Sequence, residues 1–254
     1  MKAVKHHTDN KWIILYIERW LTTPMQLPDG SLLEKTRGVM QGGVISPVLS
    51  NLFLHYMFDS WMKRNHPETP WCRYADDAAH CETEAQAKSL LAELISRFKE
   101  FGLELHPDKT KIVYCKADNR RGNYTHTKFE FLGYSFRRRE WKNSKNNKLF
   151  VSFNVAASPL SMKSMRAKTR QMGFSTRTDK SLEEIAKECN PILQGWINYY
   201  GQYNPAELQP VFRHFNRTLV IWAMRKFKKL RGRKTKATLF MEKISKRQPQ
   251  LFAH

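Results

Sequence analysis

The strongest limit on how this chain can fold is where its charge sits. Residues 1–115 hold 14 Lys+Arg and 14 Asp+Glu, residues 116–254 hold 30 against 9, and so the whole net charge of +21 falls in the second part. Uncompensated cations cannot enter a core; they must face water or a polyanion. Such a surface attracts polyanions and raises their encounter rate. The basic residues are spread over many segments rather than along one amphipathic helix, which favours nucleic acid over a membrane surface. Apolar residues make up 41% of the chain and aromatics 12%, enough for a real core in 254 residues. No apolar run is long enough to span a membrane, and MKAVKHHTDNKW at the start has no signal core, so a cytoplasmic protein is expected. Cys72, Cys81, Cys115 and Cys189 form no CxxC pair and are expected as reduced core thiols.

Periodicity divides the chain into a mixed α+β part and a basic helical part. Residues 12–21 are apolar almost all round, as in a helix buried in a larger body. A Leu27-Pro28-Asp29-Gly30 turn and a loop around Gly42-Gly43 follow, and then Ser46 as the cap of a helix that starts at Pro47. Residues 71–81 read as two short strands about a turn at Ala75-Asp76-Asp77-Ala78. Thr83 and Gln86 suggest a capping box for an amphipathic helix ending at Gly102. Strands are expected at 103–106, 112–115, 129–136 and 148–153, the last two pairing. Beyond Ala157 the pattern is helical, at 158–172, 181–189, 192–200 and 206–230, with breaks at Gly173, Pro191, Gly201 and Pro205.

Tyr74-Ala75-Asp76-Asp77 carries the chemistry. Two carboxylates at a hairpin tip share a small volume, and their repulsion is relieved by a cation. Mg²⁺ suits such a pair because it takes carboxylate oxygens while keeping waters and substrate phosphates. A lone Asp-Asp is most often a solvated turn; here apolar and β-prone flanks argue for a hairpin.

At this point a resemblance becomes specific. RYADDAAHC resembles the metal-binding motif of bacterial group II intron reverse transcriptases. GVMQGGVISPVLSNLFLHYMFDSWM (38–62), GLELHPDKTKIVYCK (102–116), FEFLGYSFRRR (129–139) and NPILQGWINYYGQYNP (190–205) are similar to further blocks of that family, in the family's order. The last block resembles its maturase domain. The resemblance implies an α+β reverse-transcriptase palm over residues 1–156, with a mixed sheet carrying the YADD hairpin. A helical thumb and maturase domain with a basic end would follow over residues 157–254. It implies RNA-directed DNA synthesis in a bacterial host, with Asp76 and Asp77 as catalytic Mg²⁺ ligands, Asp76 the stronger. Gln41, Gly42, Gly43, Tyr74, Ala75 and Lys109 would lie by the nucleotide and template, and Leu132, Gly133 and Tyr134 by the primer end. Intron RNA, a DNA primer or target and deoxynucleoside triphosphates are the implied partners. The RNA-contacting cations expected are Arg213, Arg217, Arg225, Lys226, Lys228, Lys229, Arg231, Arg233, Lys234 and Lys236.

Each block also has a plainer reading. Gly42 and Gly43 serve equally as a φ-permissive turn, Lys109 as a turn lysine, and Trp196, Tyr199 and Tyr200 as a helix packing face. The family's palm uses a third carboxylate on an earlier strand. Asp9, in a polar stretch, and Asp29, in a Pro-Asp-Gly turn, do not match it. A truncated polymerase with weak or absent synthesis is therefore expected of this chain alone. An RNA-binding splicing cofactor without polymerase activity is the alternative, and oligomeric state is left open.

Overall fold

The computed structural model describes residues 1–34, 38–39, 42–74, 77–78, 81–116, 122–142 and 149–253, in two compact units, Met1–Ile112 and Val113–His254. The first unit begins with α1 (Lys2–His7) and α2 (Lys11–Thr22). Asn10 starts α2 by accepting from the backbone N–H groups of Trp12 and Ile13. A small hairpin, β1 (Met25–Gln26) and β2 (Leu32–Leu33), closes around the Pro28-Asp29 turn, where Gly30 takes φ +87°. Next come α3 (Ser46–Leu54), a π-turn at His55–Asp59 and α4 (Ser60–Asn65). The paired strands β3 (Arg73–Tyr74) and β4 (Asp77–Ala78) lead to α5 (Glu84–Glu100).

Two small cores hold this unit. Met57, Phe58 and Met62 pack with Leu90 of α5, while Val4, Ile17 and Leu49 join α1, α2 and α3. The expectation of a buried α2 fails: Ile17 is buried, but Trp12 is 69% exposed and Tyr16 and Trp20 about half. The cap and the propensities suffice to form the helix; Ile14, Ile17 and Leu21 make its packed side, and its aromatic face stays at the surface. Ser46 is the first helical residue rather than the cap, and Ile45 precedes it without a side-chain bond. The Thr83 capping box is half formed. Thr83 accepts from Gln86 N–H, but the Gln86 carbonyl oxygen accepts from Glu82 N–H, and its amide donates to Thr69.

The second unit opens with an antiparallel sheet in the order β5 (Lys128–Phe131), β6 (Tyr134–Lys142), β7 (Leu149–Ala157). The single strand expected at 129–136 is two strands, because Leu132 and Gly133 turn the chain back with φ +50° and +76°. The expected pairing with the following strand is present, from Tyr134↔Ala157 to Lys142↔Leu149. Among the described residues, 103–106 and 112–115 form no ladder; Leu103 N–H bonds back to the Phe98 carbonyl, the His106 carbonyl accepts from the turn that follows it, and Tyr114 N–H reaches the His126 carbonyl at 2.8 Å. β-prone side chains without a partner edge do not make a strand.

Four helices follow: α6 (Pro159–Gln171), α7 (Leu182–Tyr200), α8 (Gln209–Lys226) and α9 (Lys234–Arg247). Ser158 caps α6 as its position before Pro159 suggests. The break expected at Pro191 does not occur, and α7 runs through it. Pro191 and Lys187, whose carbonyl loses its donor, both lie on the solvent side, while buried Cys189 and Leu193 hold the inner face. The core joins Ala157 of β7 to Met165, Phe174, Ile185, Leu193, Phe215 and Trp222. α9 was not read from its basic sequence; Phe240, Met241 and Ile244 supply its inner face. Of the cysteines expected in a core, Cys189 is buried, Cys81 and Cys115 are half-buried, and Cys72 is exposed just before β3. Among the described residues no helix is long and apolar enough to cross a membrane.

Phe215 is fully buried at the centre of this core. Phe215→Ala is expected to cost about 3–5 kcal/mol by urea unfolding of the second unit; a loss under about 1 kcal/mol would contradict the packing described.

Candidate functional site

The acidic motif rests on a ladder of two residues per strand, Arg73↔Ala78 and Tyr74↔Asp77. So short a hairpin is not stable by itself. It is tied down by the side chain of Arg73. The guanidinium donates through Nε and Nη2 to the two carboxylate oxygens of Asp59, both at 2.6 Å. Its Nη1 donates to Asn51 Oδ1 of α3 at 2.8 Å. Both partners of the ion pair are mostly buried, with side chains 12% and 14% exposed. The π-turn lets consecutive Met57 and Phe58 both enter the core while Asp59 reaches Arg73. The Arg73 fork holds the Asp59 carboxyl below its ordinary pKa, with a smaller contribution from His55, whose Nδ1 lies 3.4 Å away.

The loop residues Gly42 and Gly43 precede the N-terminus of α3, and Gly42 needs its freedom at φ +82°. One helix thus carries the glycine loop at its start and, through Asn51, the Arg73 anchor further along. Tyr74 is 61% exposed. Lys109 is exposed in a turn after α5, where its backbone N–H meets the His106 carbonyl. Gln41, Ala75 and Asp76 lie outside the described residues, and Asp77 is placed by its backbone pairing with Tyr74. Among the described residues no three His, Cys, Asp or Glu side chains gather at one point, and Asp76 is not among those residues. Two aspartates adjacent in sequence are a hard-oxygen donor pair of the kind Mg²⁺ takes.

The Leu132-Gly133 turn in the second unit is anchored by its own chain. Tyr199 Oη donates to the Leu132 carbonyl and Ser161 Oγ to the Gly133 carbonyl, each at 2.9 Å. Tyr134 Oη donates to the Tyr199 carbonyl. A Cβ on Gly133 would come within 2.9 Å of Ser161 Oγ and Tyr200 Oη. The glycine is therefore explained by close packing on α6 and α7, with no primer needed. Burial, and then the neighbouring tyrosines, push the Tyr134 phenol above its ordinary pKa. The helix packing face read from the sequence holds for Trp196 and Tyr200, which pack on the core, with Tyr200 Oη donating to Ser161 Oγ at 3.2 Å; what the sequence did not reveal is that Tyr199 bonds the turn.

The basic residues named from the sequence have unlike fates. Arg225 donates to the Ser175 carbonyl at 3.2 Å and Lys226 to the Thr178 carbonyl at 3.0 Å. Both hold the loop before α7. Arg213 and Arg217 are exposed on α8; Lys228, Lys229, Arg231, Arg233, Lys234 and Lys236 are exposed around the link to α9.

Comparison with known families bears on both units. Residues 1–136 match the family described as reverse transcriptase (RNA-dependent DNA polymerase). Residues 162–240 match the group II intron, maturase-specific domain. No curated protein matches the chain.

Two outcomes follow from this geometry. Asp59→Asn should loosen the hairpin base, lowering stability of the first unit by about 3–5 kcal/mol less whatever solvent screens at this partly exposed pair. The folded pKa of Asp59 lies below 3.8, so the stabilisation is full above that value and is lost as pH falls through the folded one. The mutant's deficit, read from melting temperature against pH, should shrink in acid; a deficit independent of pH would contradict the ion pair. Gly133→Ala should lower the melting temperature of the second unit through both the left-handed backbone and the clash; an unchanged melt would contradict the anchored turn.

Proposed function

The chain belongs to the family of group II intron reverse transcriptases with a maturase domain, and from that membership we propose how it divides its work. Residues 1–156 are the palm segment and 157–254 the thumb and maturase segment. Asp76 and Asp77 are the carboxylates that would hold Mg²⁺ for nucleotidyl transfer. When bound, the metal supplies charge neutralisation at the attacking hydroxyl and the leaving pyrophosphate. The protein's own part is positional. Arg73 fixes the strand that leads into the acids, and Gln41, Gly42 and Gly43 leave room for nucleotide and template at the start of α3. Tyr74 and Ala75 are assigned to nucleotide and template contact by the motif, and Lys109 to phosphate. Leu132, Gly133 and Tyr134 form the primer-proximal turn.

The observation that carries this reading is the Arg73 fork to Asp59 and Asn51. It gives a two-residue acidic hairpin a rigid base on the helix that begins at the glycine loop. Substrates are intron RNA as template, a DNA primer or target, and deoxynucleoside triphosphates. The basic second segment binds intron RNA for splicing and mobility. Synthesis by this 254-residue chain alone is weak or absent, since Asp9 and Asp29 do not supply a third carboxylate beside Asp76 and Asp77.

Primer extension on an RNA template with Mg²⁺ tests the assignment, comparing the chain with Asp76→Asn/Asp77→Asn. Little or no extension is expected from either, with equal RNA affinity that falls steeply with salt. Extension by the unaltered chain alone would uphold the two acids and refute the missing-ligand argument. Extension by both would refute the acids.

A further inference from the structure

Where this chain uses an arginine to build structure, it supplies a partner. Arg73 has Asp59, Arg97 has Glu100, Arg139 has Glu207 and Arg177 has Glu188. Arg225 has a backbone carbonyl. The packed pair α6 and α8 breaks this habit. Their sequences, PLSMKSMRAKTRQ and QPVFRHFNRTLVIWAMRK, contain eight Lys and Arg and no Asp or Glu. On α6 the buried row Met165 and Thr169 faces the core with Phe215 of α8 nearby, and Arg166 and Arg170 follow it one position on, one turn apart. On α8, Arg217 stands one turn from His214. Arg166, Arg170 and Arg217 all act on the imidazole of His214, whose Nε2 is buried with no hydrogen-bond partner. Among the described residues none of the three arginines has an acidic partner or a hydrogen-bonded one.

Like charges brought together without acids destabilise the helices that carry them. Arginine offers a planar fork that matches phosphate oxygens two at a time, which lysine does not. We infer that Arg166, Arg170 and Arg217 form one seat for the phosphodiester backbone of RNA along the seam of α6 and α8. This rests on the RNA-binding reading of the second segment and relocates its centre. The seat lies on the helical seam, with two residues on α6 that the C-terminal run of cations does not include. The same three charges, after burial, push His214 below its ordinary 6.5 and keep it neutral at pH 7. A neutral imidazole adds no fourth charge to the seam.

The test measures binding of a fluorescently labelled RNA hairpin across a salt series. Three forms are compared: the full chain, Arg166→Gln/Arg170→Gln/Arg217→Gln, and Lys228→Gln/Lys229→Gln/Arg231→Gln, which removes the same charge from the same half. The seam triple should flatten the slope of log Kd against log salt by about 2–3 and weaken binding by more than about tenfold, at roughly 0.7–0.9 per phosphate contact. The control triple should lose less than half as much. Equal losses in the two triples would mean a diffuse field and overturn the seat, as would a seam triple that binds like the unaltered chain. Absence of salt-dependent binding by the unaltered chain would instead overturn the RNA-binding reading itself. Inorganic pyrophosphate is the competing arm: displacement of the hairpin at low pyrophosphate would show a small-anion site and not a backbone seat. Removing unbalanced charge should leave the melting temperature unchanged or raised. Should the seam triple not fold, Arg166→Lys/Arg170→Lys/Arg217→Lys decides. It should keep the salt slope and lose affinity with the fork, and full affinity would overturn the proposal.

Discussion

The ion pair between Arg73 and Asp59 is the constraint on which the first unit's site depends. A ladder of two residues per strand contributes too few backbone bonds to hold a hairpin in place. The guanidinium closes both of its forked contacts at 2.6 Å in a mostly buried position, where a bidentate pair is strong and directional. Because Asp59 stands between α3 and α4, and Asn51 within α3, the residue next to Tyr74 is fixed to the most helical part of the unit. Losing either partner leaves a partly buried charge uncompensated, which costs more than the pair contributes.

The second unit solves a different problem, the accommodation of cations. Its helices bury one apolar row each and leave their basic rows outside, so the core of Met165, Leu193, Phe215 and Trp222 forms without burying unpaired charge. The turn at Leu132-Gly133 is locked to α6 and α7 by three side-chain hydroxyls. That lock makes the sheet and the helices one unit. The basic residues then sort by geometry. Arg225 and Lys226 serve the fold, while half-buried Arg166 and exposed Arg170, Arg213 and Arg217 have no acidic partner among the described residues.

The sequence made much of this legible where a local rule was strong. The Pro28-Asp29-Gly30 turn, the α5 amphipathic helix and the β6–β7 pair all follow from short-range chemistry. The failures are tertiary. Pro191 looked like a helix end because its solvent-facing position was invisible in one dimension. The run at 129–136 hid a turn because Leu132 is not a residue that usually takes positive φ. Residues 103–106 and 112–115 had the side chains of strands but no partner edge among the described residues. At the candidate site, the acids and glycines are assigned from motif order alone. The Asp59 anchor could not be read that way, since it lies 14 residues before Arg73 on a helix that reads as ordinary. Arg166 and Arg170 were equally hidden, because only packing against α8 places them beside Arg217.

Protection of arginines from phenylglyoxal, mapped by mass spectrometry with and without structured intron RNA, tests the account most directly. The account separates a first unit built around paired charges from a basic second unit with open ones. It predicts that RNA shields Arg166, Arg170 and Arg217 and leaves Arg19 and Arg64 of the first unit as reactive as before. Shielding confined to the first unit, or equal reactivity of Arg166, Arg170 and Arg217 with and without RNA, would contradict it.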